Sequence, residues 1–582
     1  MNGAELFVSA LNNENVQQIF GVPGEENLDF VEALRRSSIK LVVTRHEQAA
    51  AFMAATQGRL TGKPGVCLSS VGPGALNLTT GAAYALLGAM PMIMVTGQKA
   101  ILSRKQARFQ IVDVVSTMAP LTKMAHQILS PTTIPMIVRE AFRVAQQERP
   151  GPVHLELPQD VAAETMAAVS AMVPPYPIDT PVAPAEALDR AAELILQAKR
   201  PLVMLGAAAS RPRLSEALSE FERRLQIPFF NTQLGNGAMS GESGLYMGTA
   251  ALSERDYVHR AIDRADLIIA IGHDTVEKPP FLMKREGPTV LHVGYLPATV
   301  EEVFFPHAEV VGDLGPTLRL LADRLEGRLP NAGALLGLRE EILRGIADQA
   351  TMCRYPLTPP RIVHDVRQVM VENGIVCLDN GMYKVWFARN YHSKLANRLL
   401  LDNSLATMGA GLPSAIMAAL LYPGRRVLAV CGDGGFMMNS QELETALRLG
   451  LHLVVLVLQD NAYGMIRWKQ AAEGYSEYGT TFGNPNFVAY AKAYGIEARR
   501  IEGPDDLMPT LEAAFAAGGI HLISAQVDYS GQDRHWITTG SANTSSADLA
   551  TTIRCSVDGQ IQDLISRRHA SERTSDTAHK DA

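Results

Sequence analysis

The chain has 582 residues, enough for about three or four domains of ordinary size. Hydrophobic residues make up 47% and charged residues 19%, a balance that excludes a globally disordered chain. Lys and Arg number 53 and Asp and Glu 60, so the net charge is −7, and no long basic run offers a surface to nucleic acid. The five cysteines include no CxxC pair, so we expect reduced thiols in protein cores instead of a zinc site or a disulfide framework.

The N-terminus and the longest apolar runs indicate the cellular location of the protein. Residues 1–16 have the pattern of an amphipathic helix with acidic residues, and they lack the basic start of a secretory signal. The longest apolar runs, such as 453–458, fall well short of the ~20 residues of a membrane helix and suit buried strands. We therefore expect a cytoplasmic protein that binds neither a membrane nor nucleic acid.

Three blocks along the chain alternate short apolar strands with Ala-rich helices: 1–175, 188–335 and 355–535. A Pro-rich linker at 173–187 separates the first two blocks. Strands separated by helices indicate βαβ units, so we predict the α/β class with three doubly wound, parallel-sheet domains. Residues 540–582 are rich in Ser and Thr and then highly charged, which predicts a polar, mobile tail.

Two buried strands of the third block end in acidic turns. One runs into a glycine turn at 432–435 that carries Asp433, and the next strand ends at Asp460. In a parallel sheet both strand ends lie at the carboxyl edge, where ligands bind. Glycines let backbone N–H groups approach phosphate at a helix start, and two carboxylates offer oxygen ligands to a hard cation such as Mg²⁺. An isolated GDGG is more often a structural turn, but the pattern of the whole segment favours a binding site.

This segment resembles the thiamine diphosphate-dependent enzyme family, which is marked by GDG and, one strand later, an Asn- or Asp-containing strand end. The resemblance implies that Asp433, Asp460 and the Ala462 carbonyl bind Mg²⁺. Asn461 competes for the role of Asp460, which we prefer because its 27-residue separation from Asp433 fits the family. Met408 would be the apolar wedge that bends the cofactor, although such a Met is otherwise more often core filler. The cofactor-binding residues implied are Pro23, Pro73, Asn77, Gly381, Met382, Tyr383, Met408, Gly409, Asp433, Gly434, Gly435, Asn461, Tyr463, Gly464 and Met465. The fold implied has a pyrimidine-binding, a central and a diphosphate-binding domain in that order.

A second mark of the family lies in the first block, where LVVTRHEQAAAFMAA (41–55) places Glu47 just after a strand. Alone, Glu47 would be interpreted as a surface residue that begins a helix. In the family this Glu is the catalytic group that activates the cofactor by sharing a proton with its aminopyrimidine ring. The family site forms between the first block of one subunit and the third block of another, which implies a homodimer at least and a homotetramer as the expected assembly.

Within the family, the chain is similar to the acetolactate synthases over about residues 1–530. That resemblance implies a carboligase that condenses two molecules of pyruvate, or of a similar 2-oxo acid, to 2-acetolactate with release of CO₂. Phe109 and Gln110 would line the substrate pocket as catalytic residues, although a lone polar loop residue is the simpler interpretation of Gln110. The stretches that carry the resemblance are 20–27, 61–81, 107–115 and 149–161.

Several departures leave alternatives open. Glu25 and Glu26 stand where acetolactate synthases carry small residues, and carboxylates there would repel a carboxylate substrate unless they face a cation. Together with Lys469 they favour a related thiamine diphosphate-dependent decarboxylase or lyase acting on another 2-oxo acid or aldehyde. A noncatalytic nucleotide-binding protein is disfavoured because Glu47 is present. Segments 271–280 and 292–314 resemble FAD-independent members, so FAD is the less favoured cofactor, and no pattern identifies a surface for a regulatory subunit.

Overall fold

The computed structural model describes residues 1–102, 107–167 and 171–530, and within them it contains three six-stranded sheets. All strand pairs in these sheets are parallel, which confirms the predicted α/β fold with three doubly wound sheets. Each sheet falls inside one predicted block, while the block boundaries stay predictions. The predicted tail at 540–582, Cys555 and the last residues of the third block lie outside the described residues. Among the described helices, none has the length and apolar character to cross a membrane.

The first sheet is formed by the N-terminal part of the chain. The predicted Glu47 lies at the carboxyl ends of its strands. Its strands are β1 (Gln18–Gly21), β2 (Lys40–Val43), β3 (Gly65–Ser69), β4 (Met92–Gln98), β5 (Met124–Gln127) and β6 (Pro152–Pro158), in the order β2-β1-β3-β4-β6-β5. Its helices are α1 (Gly3–Asn13), α2 (Leu28–Arg35), α3 (Glu47–Thr61), α4 (Pro73–Asn77), α5 (Thr79–Leu87), α6 (Val114–Met118), α7 (Ile134–Gln146) and α8 (Gln159–Ala163). Helix α3 begins where His46 Nδ1 accepts the Gln48 N–H, and it ends at Gly62, whose φ of 71° suits a helix terminus.

The central sheet has the strand order of dinucleotide-binding folds. Its strands are β7 (Pro201–Leu205), β8 (Phe229–Asn231), β9 (Tyr246–Thr249), β10 (Leu267–Ile271), β11 (Thr289–Gly294) and β12 (Ala308–Val311), in the order β12-β11-β10-β7-β8-β9. The helices are α9 (Ala185–Gln197), α10 (Ser215–Leu225), α11 (His259–Ile262), α12 (Leu314–Leu325) and α13 (Arg339–Ala347). A cavity of about 540 Å³ lies where the strand order reverses, between this sheet and the first domain, and its lining includes Arg149, Ala207, Gly272 and His273.

The third sheet repeats the strand order of the first sheet. Its strands are β13 (Ile375–Leu378), β14 (Leu399–Leu400), β15 (Val427–Gly432), β16 (Leu453–Gln459), β17 (Glu497–Arg500) and β18 (Ile520–Gln526), in the order β14-β13-β15-β16-β18-β17. Its helices are α14 (Pro359–Val369), α15 (Lys384–Asn390), α16 (Gly411–Leu421), α17 (Asp433–Asn439), α18 (Glu442–Arg448), α19 (Gly464–Ala472), α20 (Phe487–Ala493) and α21 (Leu507–Ala517). Short 3-10 helices at Glu25–Asn27, Ala119–Leu121, Pro131–Thr133, Ala207–Ser210, Pro212–Leu214 and Leu336–Leu338 complete the described elements.

The first and third domains share one hydrophobic core, which is built around α3 and α16. The apolar face of α3 includes the fully buried Phe52, and α16 contributes the equally buried Met417. Within this contact the Thr56 and Ser414 hydroxyls lie 2.9 Å apart and satisfy each other. The Arg59 guanidinium donates to the Leu401 carbonyl at 2.7 Å at the far end of α3. The two sheets are therefore held in a fixed relation within one chain.

The cysteines test the expectation of buried thiols. Cys67, Cys377 and Cys431 are buried in sheet strands, as predicted. For Cys353 the expectation is wrong, because this residue is exposed. It lies in the connection between α13 and α14, where no strand carries it into a core.

Candidate active site

The carboxyl edge of the first sheet holds the predicted acid–base residue. Glu47 is the first residue of α3, which follows β2, and its side chain is half-buried. Asn77, the last residue of α4, donates from Nδ2 to Glu47 Oε2 at 3.0 Å. The other oxygen, Oε1, lies 3.0 Å from where a Cβ on Gly74 would stand, so α4 approaches Glu47 as closely as a glycine allows. Pro73 occupies the first turn of the same helix. The structure thus brings Glu47, Pro73 and Asn77 together.

Other predicted residues of the first domain lie on the same edge. Pro23 is exposed in the turn after β1. Phe109 is 65% exposed, and its ring centroid lies 5.8 Å from Lys99 Nζ. Gln110 has a φ of 58°, and its carbonyl oxygen lies 3.2 Å from the position of a Cβ on Gly72. The loop that carries both predicted pocket residues therefore lies over the turn after β3.

The predicted metal ligands come together at the carboxyl edge of the third sheet. Asp433 begins α17 directly after β15, and its Oδ1 accepts the Gly434 N–H at 2.9 Å. Its Oδ2 accepts the N–H groups of Asp460 at 3.2 Å and Asn461 at 2.7 Å, just past the end of the neighbouring β16. Asn484 Nδ2 donates to the same oxygen at 2.8 Å. Adjacent strand ends thus converge on one carboxylate, as the sequence predicts.

Two oxygens at this edge fit a cation. Burial, reinforced by the charge of Asp433, raises the pKa of Asp460 to about 7, and the nearest cation, Arg467, lies 3.4 Å from its Oδ2. Ala462 is buried at the same edge, between the end of β16 and the start of α19. Asn461 instead has a left-handed φ of 54°, and its Oδ1 accepts a hydrogen bond from Asn484. The geometry therefore favours Asp460 over Asn461 as a metal ligand, and Mg²⁺ suits such oxygens.

A buried carboxylate lies between the segment of the predicted wedge and the predicted diphosphate loop. Asp379 follows β13, and both of its oxygens accept the Gly409 N–H, at 2.8 and 3.0 Å. A Cβ on Gly435 would stand 2.6 Å from Asp379 Oδ2, so the start of α17 needs glycine there. Gly409 has a φ of 89°, and the neighbouring Met408 is half-buried beside it. Gly409, which follows Met408, and Gly435 thus border the same buried carboxylate.

The remaining predicted cofactor residues divide into buried and exposed ones. Met382 and Tyr383 are buried. The Tyr383 hydroxyl accepts the Gly432 N–H at 2.9 Å, so this side chain binds the first residue of the glycine turn. Tyr463 is 37% exposed, and its ring stacks obliquely on Phe482 with 4.9 Å between centroids. The other members lie at the same edge and are partly exposed: Gly381, Gly434, Gly464 and Met465.

Glu47 with its neighbours and Asp433 with its neighbours form two half-sites. Within one chain, a helix separates these half-sites. Asn439, at the end of α17, donates to Gln48 Oε1 at 3.0 Å, while Asp433 begins that helix. Its seven residues span ~10 Å, which is the distance along the axis between the two contacts. Glu442 accepts the Arg45 N–H at 3.0 Å and also the N–H of His46. The start of α3 is therefore fixed against α17 and α18 of the same chain.

Three residues of this region were missed by the sequence analysis. Asp379 stands in a strand-end LDNG pattern, and the logic that identified Asp433 would have found it. Asn484 is 51 residues from Asp433 and has no local pattern, so only the fold brings the two together. Lys99 follows β4, and its ammonium contacts Glu26, the cationic partner that the paired glutamates at 25–26 require. Glu25 is exposed, and no charged residue of the described chain pairs with it.

Comparison with known proteins identifies the family. Models of the thiamine pyrophosphate (thiamine diphosphate) enzymes match in three parts: the N-terminal TPP binding domain at 1–117, the central domain at 188–321 and the C-terminal TPP binding domain at 379–525. The chain is 35% identical over 534 residues to the catabolic acetolactate synthase of Raoultella terrigena, with 91% of this chain and 95% of that protein covered. The chain belongs to the acetolactate synthase family of thiamine diphosphate-dependent enzymes.

Two further relatives have similar coverage. The acetolactate synthase of Bacillus subtilis (strain 168) is 32% identical over 533 residues, covering 91% of this chain and 93% of that protein. The acetolactate synthase isozyme 2 large subunit of Escherichia coli (strain K12) is 30% identical over 539 residues, covering 91% and 96%. Membership in this family makes the chain a thiamine diphosphate-dependent enzyme, and it agrees with the two carboxyl edges described above. The roles of the individual site residues stay predictions.

The choice between Asp460 and Asn461 can be measured. Asp460→Ala is expected to weaken Mg²⁺ binding at least about tenfold, because it deletes the side-chain oxygens beside Asp433. Asn461→Ala is the matched control and should change the Mg²⁺ affinity by no more than about twofold. The measurement is calorimetric titration of Mg²⁺ into protein saturated with thiamine diphosphate. A larger loss for Asn461→Ala than for Asp460→Ala would make Asn461 the ligand.

Proposed function

We propose that the protein is a thiamine diphosphate- and Mg²⁺-dependent carboligase that condenses two molecules of pyruvate to 2-acetolactate with release of CO₂. The observation that carries the proposal is the pair of carboxyl edges, one with Glu47 held by Asn77 and one with Asp433 beside Asp460. A cofactor with a diphosphate at one end and a titratable ring at the other requires one such group of residues for each end. Similarity over most of the chain to proteins named acetolactate synthase supports the choice of reaction.

In this proposal the third domain binds the charged end of the cofactor. Asp433, Asp460 and the Ala462 carbonyl would hold Mg²⁺, and the glycine backbone at 434–435 would face the diphosphate at the start of α17, where helix N–H groups favour anions. Thiamine diphosphate supplies the electron sink that lets a 2-oxo acid lose CO₂. Met408, kept in place by the bonded Gly409, would support the middle of the cofactor.

Glu47 would hold and move the proton that activates the cofactor. Its Oε2 is occupied by Asn77, so the hydrogen bond fixes one oxygen and leaves Oε1 to exchange a proton. Phe109 and Gln110 would border the substrate from the loop over β3, with Phe109 supplying apolar surface and Gln110 a side-chain donor. Covered by the second subunit proposed below, this exposed loop would exclude water and favour bond formation between two substrate molecules over simple protonation.

The buried Glu26 no longer argues against an anionic substrate. Its carboxylate contacts the Lys99 ammonium, so this pair brings no net charge to the edge of the sheet. Burial alone would raise the pKa of Glu26, but hydrogen bonds from Lys99 and Ser70 outweigh burial and lower it. Glu25 and Lys469 are exposed and keep the alternative open, namely a decarboxylase or lyase of this family acting on another 2-oxo acid or aldehyde.

We further propose a homodimer as the smallest active unit and a homotetramer as the full assembly. Large apolar side chains stand exposed around both half-sites: Leu76 on α4, Met437 and Met438 on α17, and Ile466 on α19 are 39%, 39%, 41% and 54% exposed. Such a patch around a site supports a contact with a second copy. We place this protein in the cytoplasm, and we propose no docking surface for a regulatory subunit.

The reaction class can be tested with the purified protein, thiamine diphosphate, Mg²⁺ and pyruvate. We expect acid-labile acetolactate and CO₂ in a ratio of one to one, since each condensation releases one carboxyl group. Glu47→Gln should still bind thiamine diphosphate but lose at least about 100-fold in turnover, within the range of a lost acid–base group. Acetaldehyde as the sole product would favour the decarboxylase alternative, and full activity of Glu47→Gln would refute its assigned role.

A site shared between subunits predicts complementation. Glu47→Gln and Asp433→Asn chains, each inactive alone, are co-expressed with different tags and the mixed dimer is purified. One of its two sites then combines the intact Glu47 of one chain with the intact Asp433 of the other, so about half of the wild-type turnover per dimer should return. A site built within one chain would leave the mixed dimer as inactive as its parents.

FAD remains the less favoured cofactor, because segments 271–280 and 292–314 resemble FAD-independent members of the family. The central cavity is bordered by ion pairs that join the first and central domains, Arg149 with Asp274 and Glu148 with Arg211. We expect protein purified from cells to show no visible flavin absorbance and to release no flavin when unfolded. Stoichiometric FAD in that extract would reverse this expectation.

A further inference from the structure

A buried ion pair lies beside the predicted acid–base residue. Glu26 and Lys99 are 5% and 8% exposed, and the carboxylate and ammonium are in direct contact. Glu26 belongs to the turn after β1, and Lys99 directly follows β4. Burial of two charges loses solvation that their attraction offsets only in good geometry, so stability alone is a weak reason to keep such a pair.

The Glu26 carboxylate links three neighbouring strand ends. Strands β1, β3 and β4 are consecutive in the sheet. Ser70, which follows β3, donates from Oγ to Glu26 Oε2 at 2.5 Å, while Oε1 contacts Lys99 after β4. Asn27 donates from Nδ2 to the Ser69 carbonyl at 3.3 Å and adds a second tie from the β1 side. The turn after β3 is therefore held from both flanking strands.

That turn leads into the groups that contact Glu47. A Cβ on Gly74 would lie 3.0 Å from Glu47 Oε1 and 3.7 Å from Ser70 Cβ, so Ser70 and Glu47 flank the same glycine. Further along α4, Asn77 donates to Glu47 Oε2. The segment from Ser70 to Asn77 thus contacts Glu26 at its start and Glu47 along its length.

We propose that Glu26 and Lys99 form a positioning pair that acts through this segment to orient the Glu47 carboxylate. The ion pair fixes Ser70, and Ser70 fixes the approach of Gly74 and Asn77 to Glu47. The inference rests on the proposed role of Glu47 in cofactor activation, and it is independent of which 2-oxo acid the enzyme uses.

The ammonium can be removed without dislodging the strand end. The Lys99 N–H donates to Gln98 Oε1 at 2.9 Å, and Gln98 Nε2 donates to Glu156 Oε2 at 3.0 Å. These contacts hold the backbone at Lys99 when its side chain changes. Lys99→Met keeps the apolar stem and deletes the charge, whereas Lys99→Arg keeps the charge.

The test measures deuterium exchange at C2 of bound thiamine diphosphate, by acid quench and NMR, with Mg²⁺ and no substrate. Lys99→Met should slow this exchange at least about tenfold, and Lys99→Arg should recover it to within about threefold of wild type. In a Glu47→Gln background, Lys99→Met should have no further effect, because a residue that acts through Glu47 is coupled to it. Lys63→Met, which removes an exposed ammonium between α3 and β3 of the same domain, is the matched control and should exchange at the wild-type rate.

Unchanged exchange in Lys99→Met, or effects of Lys99→Met and Glu47→Gln that multiply, would overturn the proposal. If Lys99→Met does not fold because Glu26 is left as a buried lone charge, Glu26→Gln/Lys99→Met removes both charges. This double variant should unfold near the wild-type temperature and still exchange slowly, and wild-type exchange in it would also overturn the proposal. The readout needs no substrate, so failure of the acetolactate assay refutes the proposed reaction and leaves this test standing.

Discussion

The contact between α3 and α16 is the constraint on which the site geometry depends. Helix α3 begins at Glu47, and α16 begins two residues after Gly409, beside the predicted wedge Met408. Small residues on both helices, Ala51 and Ala54 on α3 and Ala415 and Ala418 on α16, are fully buried and let the helices approach closely. Because a predicted site residue stands at or just before the start of each helix, the packing of the helix bodies fixes where those residues stand.

The first and third sheets each have a buried carboxylate after the equivalent strand. In both sheets a buried carboxylate follows the strand at which the order reverses, Glu26 after β1 and Asp379 after β13. Glu26 has a cation, Lys99, and its pKa is lowered, whereas Asp379 has backbone donors, and burial raises its pKa to about 7. Glu26 links neighbouring strand ends, and Asp379 links the loop before α16 to the start of α17, both at the point where doubly wound sheets open a crevice for ligands. Segments 66–77 and 427–439 occupy equivalent places in this repeated architecture, since each contains the third strand of its sheet and the helix after it.

The fold class was predictable because strand periodicity and glycine turns are local, whereas contacts between distant segments were not. The strand ends at Asp433 and Asp460 could be placed on one edge from the parallel-sheet rule, and they meet there. Asn484 could not be predicted, because nothing near it in sequence marks its contact with Asp433. The paired glutamates at 25–26 looked alike in sequence. The fold separates them, burying Glu26 against Lys99 and leaving Glu25 exposed.

The local balance of charge matters more for this site than the net charge of −7. Asp433 accepts hydrogen bonds from three backbone N–H groups and one amide, yet burial still raises its pKa. Asp460, at the same edge, accepts hydrogen bonds from Arg467 and from the Ala462 N–H, and burial together with the charge of Asp433 raises its pKa to about 7. Two carboxylates whose pKa values are raised thus stand side by side, and in the proposed site a divalent cation would restore the balance of charge at short range. An anionic diphosphate could then bind to an acidic chain, because it would meet the metal and helix N–H groups before it meets the long-range field, which salt screens within ~10 Å.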